Sequence, residues 1–322
     1  MDNLTHSLVG AVLGQAGLKK KTGLAMPALI IGANLPDVDA ACFFWLEGTE
    51  HLGFRRGITH GPPALVILPL ILAGLLWAFD RWQEKRGKRP EGRRPVHFGW
   101  LYGLSFIGAL SHPLFDWLNV YGIRFFEPFS SQWFYGDTLF IIDVWLWAML
   151  IVSVWWSLRS EKKGGNWTKP AWVGIAAGLA YIGMNWVITV QNEGNARNHL
   201  VGSGVSGVDV IASPPPIEFW RRDIFVGDSE TWSRLWDRTD MIHTGFYMSD
   251  LTENPCKLSR AIASAQKTPQ LDAFLFWSRA PFAERAEDGS VILRDARFYD
   301  PRARDRFSIA LPDVKCEELT ED

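Results

Sequence analysis

Residues 64–79, ALVILPLILAGLLWAF, carry no charge and are followed at once by Asp80-Arg81-Trp82. A helix needs roughly 20 mainly apolar residues to cross a hydrocarbon core, so this run reads as a membrane span closed by a polar boundary. Three more stretches read the same way. Residues 98–118 (FGWLYGLSFIGALSHPLFDWL) are apolar until His112 and Asp116, 139–158 (LFIIDVWLWAMLIVSVWWSL) carry only Asp143, and 171–190 (AWVGIAAGLAYIGMNWVITV) carry no charge. Buried helices of a water-soluble protein usually keep a polar stripe, which these runs lack. Four full spans are expected, and with no basic n-region or small-residue cleavage motif in residues 1–18, no cleavable signal peptide is expected.

The amino-terminal stretch has a different rhythm. Residues 4–18 and 24–35 are two apolar runs broken by Lys19-Lys20-Lys21-Thr22-Gly23. Each is worth roughly 18–22 Å of helix, short for a span. A hairpin of short helices with the lysines at its tip fits both. It returns the chain so that His6 and the segment Asn34-Leu35-Pro36-Asp37-Val38-Asp39 lie at one end.

The whole chain has 322 residues, 48% of them hydrophobic, with a formal charge of −2. That average joins two unlike parts. Residues 1–190 hold 17 Lys/Arg against 13 Asp/Glu (+4), residues 191–322 hold 16 against 22 (−6), and 13 of the 17 Trp lie in the first part. The near-neutral balance argues against nucleic acid as a partner and leaves the lipid bilayer as the evident one. P-loop, GxGxxG and GxSxG motifs are absent, so nucleotide and serine-hydrolase readings gain no support. Trp45, Trp77, Trp82, Trp100, Trp117, Trp133 and Trp172 flank the expected spans as an interfacial belt would.

Seven Lys/Arg in 81–94 and the cluster Arg159, Lys162, Lys163 and Lys169 mark cytoplasmic loops by the positive-inside bias, and the lysine tip falls on that side too. Residues 47–63, 119–138 and everything after 190 then face outward. Residues 191–216, with Gly and Ser followed by Ser213-Pro214-Pro215-Pro216, read as a linker. Beyond it, 217–226, 273–279, 290–299 and 306–311 alternate apolar and polar residues, and Asp288-Gly289 is a hairpin signal. The expected architecture is an α-helical integral membrane bundle over 1–190, then a small, mostly β extracytoplasmic domain over 217–322. Three cysteines are too few for a disulfide scaffold or a CxxC zinc site. Cys256 and Cys316 either pair in an oxidising compartment or stay two buried thiols; spacing does not decide.

Charge at membrane depth is expensive and needs a reason. His6, Asp37, Asp39, His60, His112 and Asp116 all fall at the outer ends of their segments, so distant stretches deliver three His and three Asp to one layer. Singly, each is an ordinary structural residue: Asp37 after Pro36 fits a turn, and His112 and Asp116 at i, i+4 fit an ion pair. Together they suit a divalent metal, zinc first with manganese or iron as alternatives. Six such groups exceed what one structural zinc needs and suffice for two ions.

Thr5-His6-Ser7, Leu35-Pro36-Asp37-Val38-Asp39, Arg56-Gly57-Ile58-Thr59-His60, Ser111-His112-Pro113-Leu114-Phe115-Asp116 and Phe134-Tyr135-Gly136-Asp137…Ile142-Asp143 occur in this order. Over residues 1–190 the pattern resembles the YdjM family of membrane-bound, predicted metal-dependent hydrolases, the LexA-regulated inner-membrane type also called DUF457. It is distantly similar to zinc-dependent phospholipase C. The resemblance implies a bacterial inner-membrane protein with metal ligation by His6, Asp37, Asp39, His60, His112 and Asp116. In two places the chain departs from the pattern: Arg55 stands where relatives often have His, and Gly61 where they have Ser. If that His is a ligand in relatives, one metal here is weakened, and His51 compensates only if its loop folds back.

On this reading His60, Asp37 and Asp116 are the catalytic candidates. Arg55 and Arg56 either clamp a substrate phosphate or are solvated loop charges. Asp137 and Asp143 would orient ligand imidazoles, although Asp143 could instead pair with a neighbouring helix. The expected activity is a metal-dependent hydrolase acting on a phosphoester or other ester at the outer membrane surface. The alternative is a non-catalytic membrane protein whose acidic metal cluster is structural and whose outer domain binds a partner. A transporter fits less well, since its ionisable groups should lie at mid-membrane.

Overall fold

The computed structural model describes residues 1–239 and 244–317 and separates into two compact units, Met1–Ala40 with Arg56–Trp186, and Ala41–Arg55 with Val187–Asp322. The first begins with helix α1 (Asn3–Gln15), capped by the Asp2 carboxylate, which accepts the Leu4 and Thr5 amide N–H groups at 2.9 and 3.1 Å. The lysine-bearing turn Leu18–Lys20 leads to α2 (Ala25–Gly32), and the two helices pack together as the expected hairpin. Their contact is backbone against backbone: a Cβ on Gly10 would lie 2.7 Å from the Leu29 carbonyl oxygen. Such close approach is how helices associate in lipid, where apolar surface alone gives no preference.

A 3-10 stretch, Leu35–Phe44, and a short helix α3 (Glu50–Phe54) follow, then α4 (Pro62–Lys85), α5 (Phe98–Trp117), α6 (Val144–Lys162) and α7 (Thr168–Gly202). Ala28, Leu29, Ala73, Leu101 and Leu104 form the core where α2, α4 and α5 meet. The opposite face of α4 leaves Val66, Ile67, Leu70, Ile71 and Leu75 about half exposed or more, as a lipid-facing stripe requires.

Among the described residues two helices, α4 and α7, are long and apolar enough to cross a membrane. The pair formed by α2 and Leu35–Phe44, bent by 51°, makes a third if taken as one span. Four full spans are not supported. The run 139–158 is cut short because Asp143 caps α6, its Oδ1 accepting the Leu146 N–H at 2.8 Å; the uncharged remainder, 144–158, rises only roughly 22 Å. In α5 the apolar run is diluted by Gly99, Gly103, Gly108, Ser105 and Ser111 before it reaches His112.

In the second unit α3 packs on α9 (Pro269–Trp277), where Thr49 Oγ1 donates to the Gln270 carbonyl at 2.7 Å. The strands are β1 (Asp209–Ser213), β2 (Asp223–Gly227), β3 (Trp232–Thr239), β4 (Thr244–Asp250), β5 (Pro255–Cys256), β6 (Pro281–Arg285), β7 (Ser290–Asp295) and β8 (Ser308–Lys315). They form two antiparallel sheets of four, β1-β2-β3-β4 and β5-β6-β7-β8, with α8 (Leu258–Ser264) and α9 inserted between β5 and β6 of the second. The Asp288-Gly289 turn links β6 to β7, Gly289 supplying φ +79°.

Two sequence expectations change. The run 273–279 is the end of a helix, not a strand, because Thr268 caps it and Pro269 starts it. The stretch 191–216, read as a linker, holds the end of α7 and all of β1, with Ala196 and Leu200 packed on Val210 and Ile224. Cys256 and Cys316 form a disulfide, whereas Cys42 is buried and takes no part in it.

Candidate metal centre

The first unit brings together all six of the His and Asp residues singled out from the sequence. His6 lies in the opening turns of α1, fully buried. Asn34, whose Nδ2 donates to Ser7 Oγ at 3.0 Å, ties the end of α2 to α1. The chain then tightens into the 3-10 stretch, where three residues make a turn, so residues two apart point to different neighbours. Asp37 Oδ1 faces His112 Nε2 at 3.7 Å, and Asp39 Oδ2 faces His60 Nδ1 at 3.6 Å. His60 closes a short turn, Ile58–His60, held by Asp39 Oδ2, which accepts the Arg56 amide N–H at 2.8 Å and Thr59 Oγ1 at 3.3 Å. His112 and Asp116 share one face of α5, with Nε2 3.5 Å from Oδ2.

Asp116, 1% exposed, is the hub. His6 Nε2 lies 3.4 Å from its Oδ1, and His60 Nε2 lies 3.5 Å from its Oδ2. The His6 and His112 rings stack at 3.7 Å, and His60 meets His112 edge-on at 5.0 Å. Arg56 Nε pairs with Asp116 Oδ2 at 3.0 Å, and the Met1 amino group contacts Oδ1. Three carboxylates thus face two cations, leaving the cluster anionic when the imidazoles are neutral. Burial pushes the His60 pKa below its ordinary value against the opposing pull of the Asp116 carboxylate.

The proton positions matter more than the count. His112 Nδ1 lies 2.7 Å from the Ala33 carbonyl oxygen. A carbonyl only accepts, so Nδ1 carries the proton, and a neutral ring then turns the bare lone pair of Nε2 toward Asp37 and Asp116. His60 offers Nε2 to Asp116 in the same way, with Nδ1 turned to Thr59 Oγ1 at 3.0 Å. The Nε2 atoms of His6, His60 and His112, all buried, make no hydrogen bond. Acceptors crowded against acceptors in a dry interior repel unless a cation sits among them. The spacing fits one: ligands held tetrahedrally about 2.0–2.2 Å from zinc stand roughly 3.3–3.6 Å apart, and His60 Nε2 and His112 Nε2 each lie 3.5 Å from Asp116 Oδ2. Two overlapping sets could hold an ion, His6 with Asp37 and His112, and His60 with His112 and Asp116. The Nδ1–carbonyl bond of His112 is also how metal-binding imidazoles are usually oriented.

The remaining sequence candidates take other roles. Arg56 is buried, its guanidinium spent on Asp116, on Asn119 Oδ1 at 2.9 Å and on the Gly122 carbonyl at 3.2 Å, and stacked 4.5 Å over the Tyr121 ring. Arg55 belongs to the second unit, 5.7 Å over Phe43, so the two arginines do not share one compact unit. His51 also lies there, its Nδ1 2.8 Å from the Gly48 carbonyl oxygen, and it is in neither ligand set. Asp143 serves the alternative role: it caps α6 and accepts Tyr181 Oη from α7 at 3.0 and 3.2 Å. Asp137 is buried at a left-handed φ of 46° and is in neither ligand set. Sequence reading missed Thr59, Asn119 and the Met1 amino group; the Arg56–His60 motif hints only at Thr59.

A helical membrane domain with a buried His/Asp cluster is the class these observations define. The family follows: the model of the YdjM inner membrane protein family matches residues 1–192, and the chain belongs to that family. No curated protein and no solved structure matches the chain.

Proposed function

We propose that the chain is an integral-membrane metal-dependent hydrolase acting on a phosphoester or other ester at the membrane–water interface. The observation that carries this reading is the convergence of three unsatisfied imidazole Nε2 atoms on the Asp116 carboxylate at 3.4–3.5 Å. His60, His112 and Asp116, or His6, Asp37 and His112, would hold the ion, with Asp39 beside them; the nitrogen–oxygen donor set suits zinc, with manganese or iron next. Such an ion would lower the pKa of bound water to near neutrality, supplying hydroxide at neutral pH. Asp37, the most accessible of the three carboxylates, would be the proton acceptor of this site. Asp116 would keep the site anionic, and Arg56, already engaged by Asp116, Asn119 and Gly122, would hold that carboxylate in place.

The inner membrane is the site of action, with the second unit on the extracytoplasmic side. The Cys256–Cys316 bridge supports that side, since disulfides persist in oxidising compartments. A second reading, a non-catalytic protein with a structural metal cluster and a partner-binding outer domain, draws support from Arg56 and the Met1 amine already neutralising Asp116. One comparison separates the two. Detergent-purified protein is assayed on a panel of phosphoesters with zinc, manganese or iron, beside Asp37→Asn and His60→Ala. Metal-dependent turnover lost in both variants supports the hydrolase. Negligible turnover of wild type with every metal, or turnover unchanged in the variants, overturns it.

A further inference from the structure

At the end of the first unit that carries the lysine tip, two distant segments are stitched together. The Gly23 N–H donates to the Pro95 carbonyl at 3.1 Å, the His97 N–H to Thr22 Oγ1 at 2.8 Å, and Arg94 Nη1 to the Lys20 carbonyl at 3.1 Å. Gly23 permits this, since a Cβ there would lie 2.5 Å from the Arg94 carbonyl oxygen. The result concentrates positive charge. Two nearby acids are already taken: Glu161 by Lys19 at 2.5 Å, and Asp80 by Arg93 at 3.1 Å and Arg89 at 3.4 Å. Among the described residues Lys20, Lys21 and Arg94 have no acidic partner. All three are exposed. Holding like charges together without counter-ions costs free energy and suits an anionic ligand.

The surroundings say which anion. Lys20 Nζ sits 4.8 Å over the Trp167 ring and Lys21 Nζ 5.0 Å over Trp100, cations lodged on interfacial aromatics. Lys20 and Arg94 line a hollow of about 380 Å³. Lys21, His97 and Trp100 line another of about 520 Å³, which runs onto the first turns of α5 over Gly99 and Gly103, where a Cβ would meet nothing within 4 Å. A charged mouth continuing into an open apolar helix face matches an amphiphile with a phosphate head and a hydrocarbon tail.

We propose that Lys20, Lys21 and Arg94 bind the phosphate headgroup of an anionic phospholipid, with an acyl chain laid along Gly99 and Gly103. This site is separate from the metal cluster and does not rest on hydrolase activity. Basic residues facing anionic headgroups each contribute a factor of about five in affinity.

The test is retention of phosphatidylglycerol against phosphatidylcholine by the full chain in detergent, followed by native mass spectrometry. Wild type retains phosphatidylglycerol preferentially. Lys20→Gln with Arg94→Gln weakens that retention about 25-fold, while Lys163→Gln on the α6–α7 loop leaves it unchanged, circular dichroism confirming that each variant is folded. Three results overturn the proposal: no preference in wild type, equal loss in Lys163→Gln, or displacement of the lipid by millimolar inorganic phosphate, which would mark a free-anion site.

Discussion

Replacing Asp116 by Asn keeps the side-chain volume and removes the charge on which five groups converge. The consequence follows from Arg56, which is 6% exposed and pairs with Asp116 at 3.0 Å. At that separation and an effective dielectric constant of 20 the direct attraction is at most about 5–6 kcal/mol. Removing one partner of a buried pair leaves the other charge stranded, and measured costs run about 3–5 kcal/mol. Asp116→Asn is therefore expected to destabilise the metal-stripped protein by about 3–5 kcal/mol, read from equilibrium unfolding in mixed micelles by tryptophan fluorescence. Adding Arg56→Met removes the stranded guanidinium and should restore at least half of the loss, because the two sites couple directly. A single variant within about 1 kcal/mol of wild type, or a double variant no better than the single, would refute this account of the hub.

Other consequences are local. Asp143→Ala removes the α6 cap and both Tyr181 contacts, so it should cost about 1–3 kcal/mol while metal content stays at the wild-type level; metal loss would give Asp143 a role at the cluster. Opening the Cys256–Cys316 bridge frees a 60-residue separation, and the loop-closure relation gives about 4 kcal/mol of lost stability, measured by denaturant unfolding with and without reductant. Burial alone would raise the Asp295 pKa, but pairing with Arg297 and hydrogen bonds from Ser278 and Arg297 hold it below the usual carboxylate range. Its folded pKa is thus the depressed one. Its stabilisation is present above the unfolded value of about 3.9 and is lost as pH falls through the folded value. Acid unfolding of wild type should therefore be steeper than that of Asp295→Asn; equal acid limbs would contradict the pairing.

All six cluster residues were legible because their chemistry is out of place beside apolar runs, so position along the chain already marks them. Their pairing was not legible. Which oxygen of Asp116 meets which imidazole depends on the packing of α1 against α5 and on the 3-10 geometry after Asn34. Arg56 reads as a loop charge in sequence because nothing local reveals a buried carboxylate 60 residues away. The count of spans failed at Asp143: composition sees an apolar run from Leu139, whereas the capping carboxylate fixes where the helix begins. Residues 273–279 were misread because a short apolar run carries too few residues to separate period 2 from period 3.6, and the Thr268-Pro269 start signal outweighs it. That Ala41–Arg55 belongs with the second unit is a long-range packing result with no local signature.

The central claim is that the buried cluster holds a divalent cation through His112, either with His60 and Asp116 or with His6 and Asp37. X-ray absorption at the zinc edge of the zinc-loaded, detergent-purified full chain tests it most directly. The account predicts nitrogen and oxygen neighbours at about 2.0–2.2 Å, with the multiple-scattering signature of two imidazoles that His112→Ala reduces. A spectrum without imidazole scattering, or one that His112→Ala leaves unchanged, would contradict it.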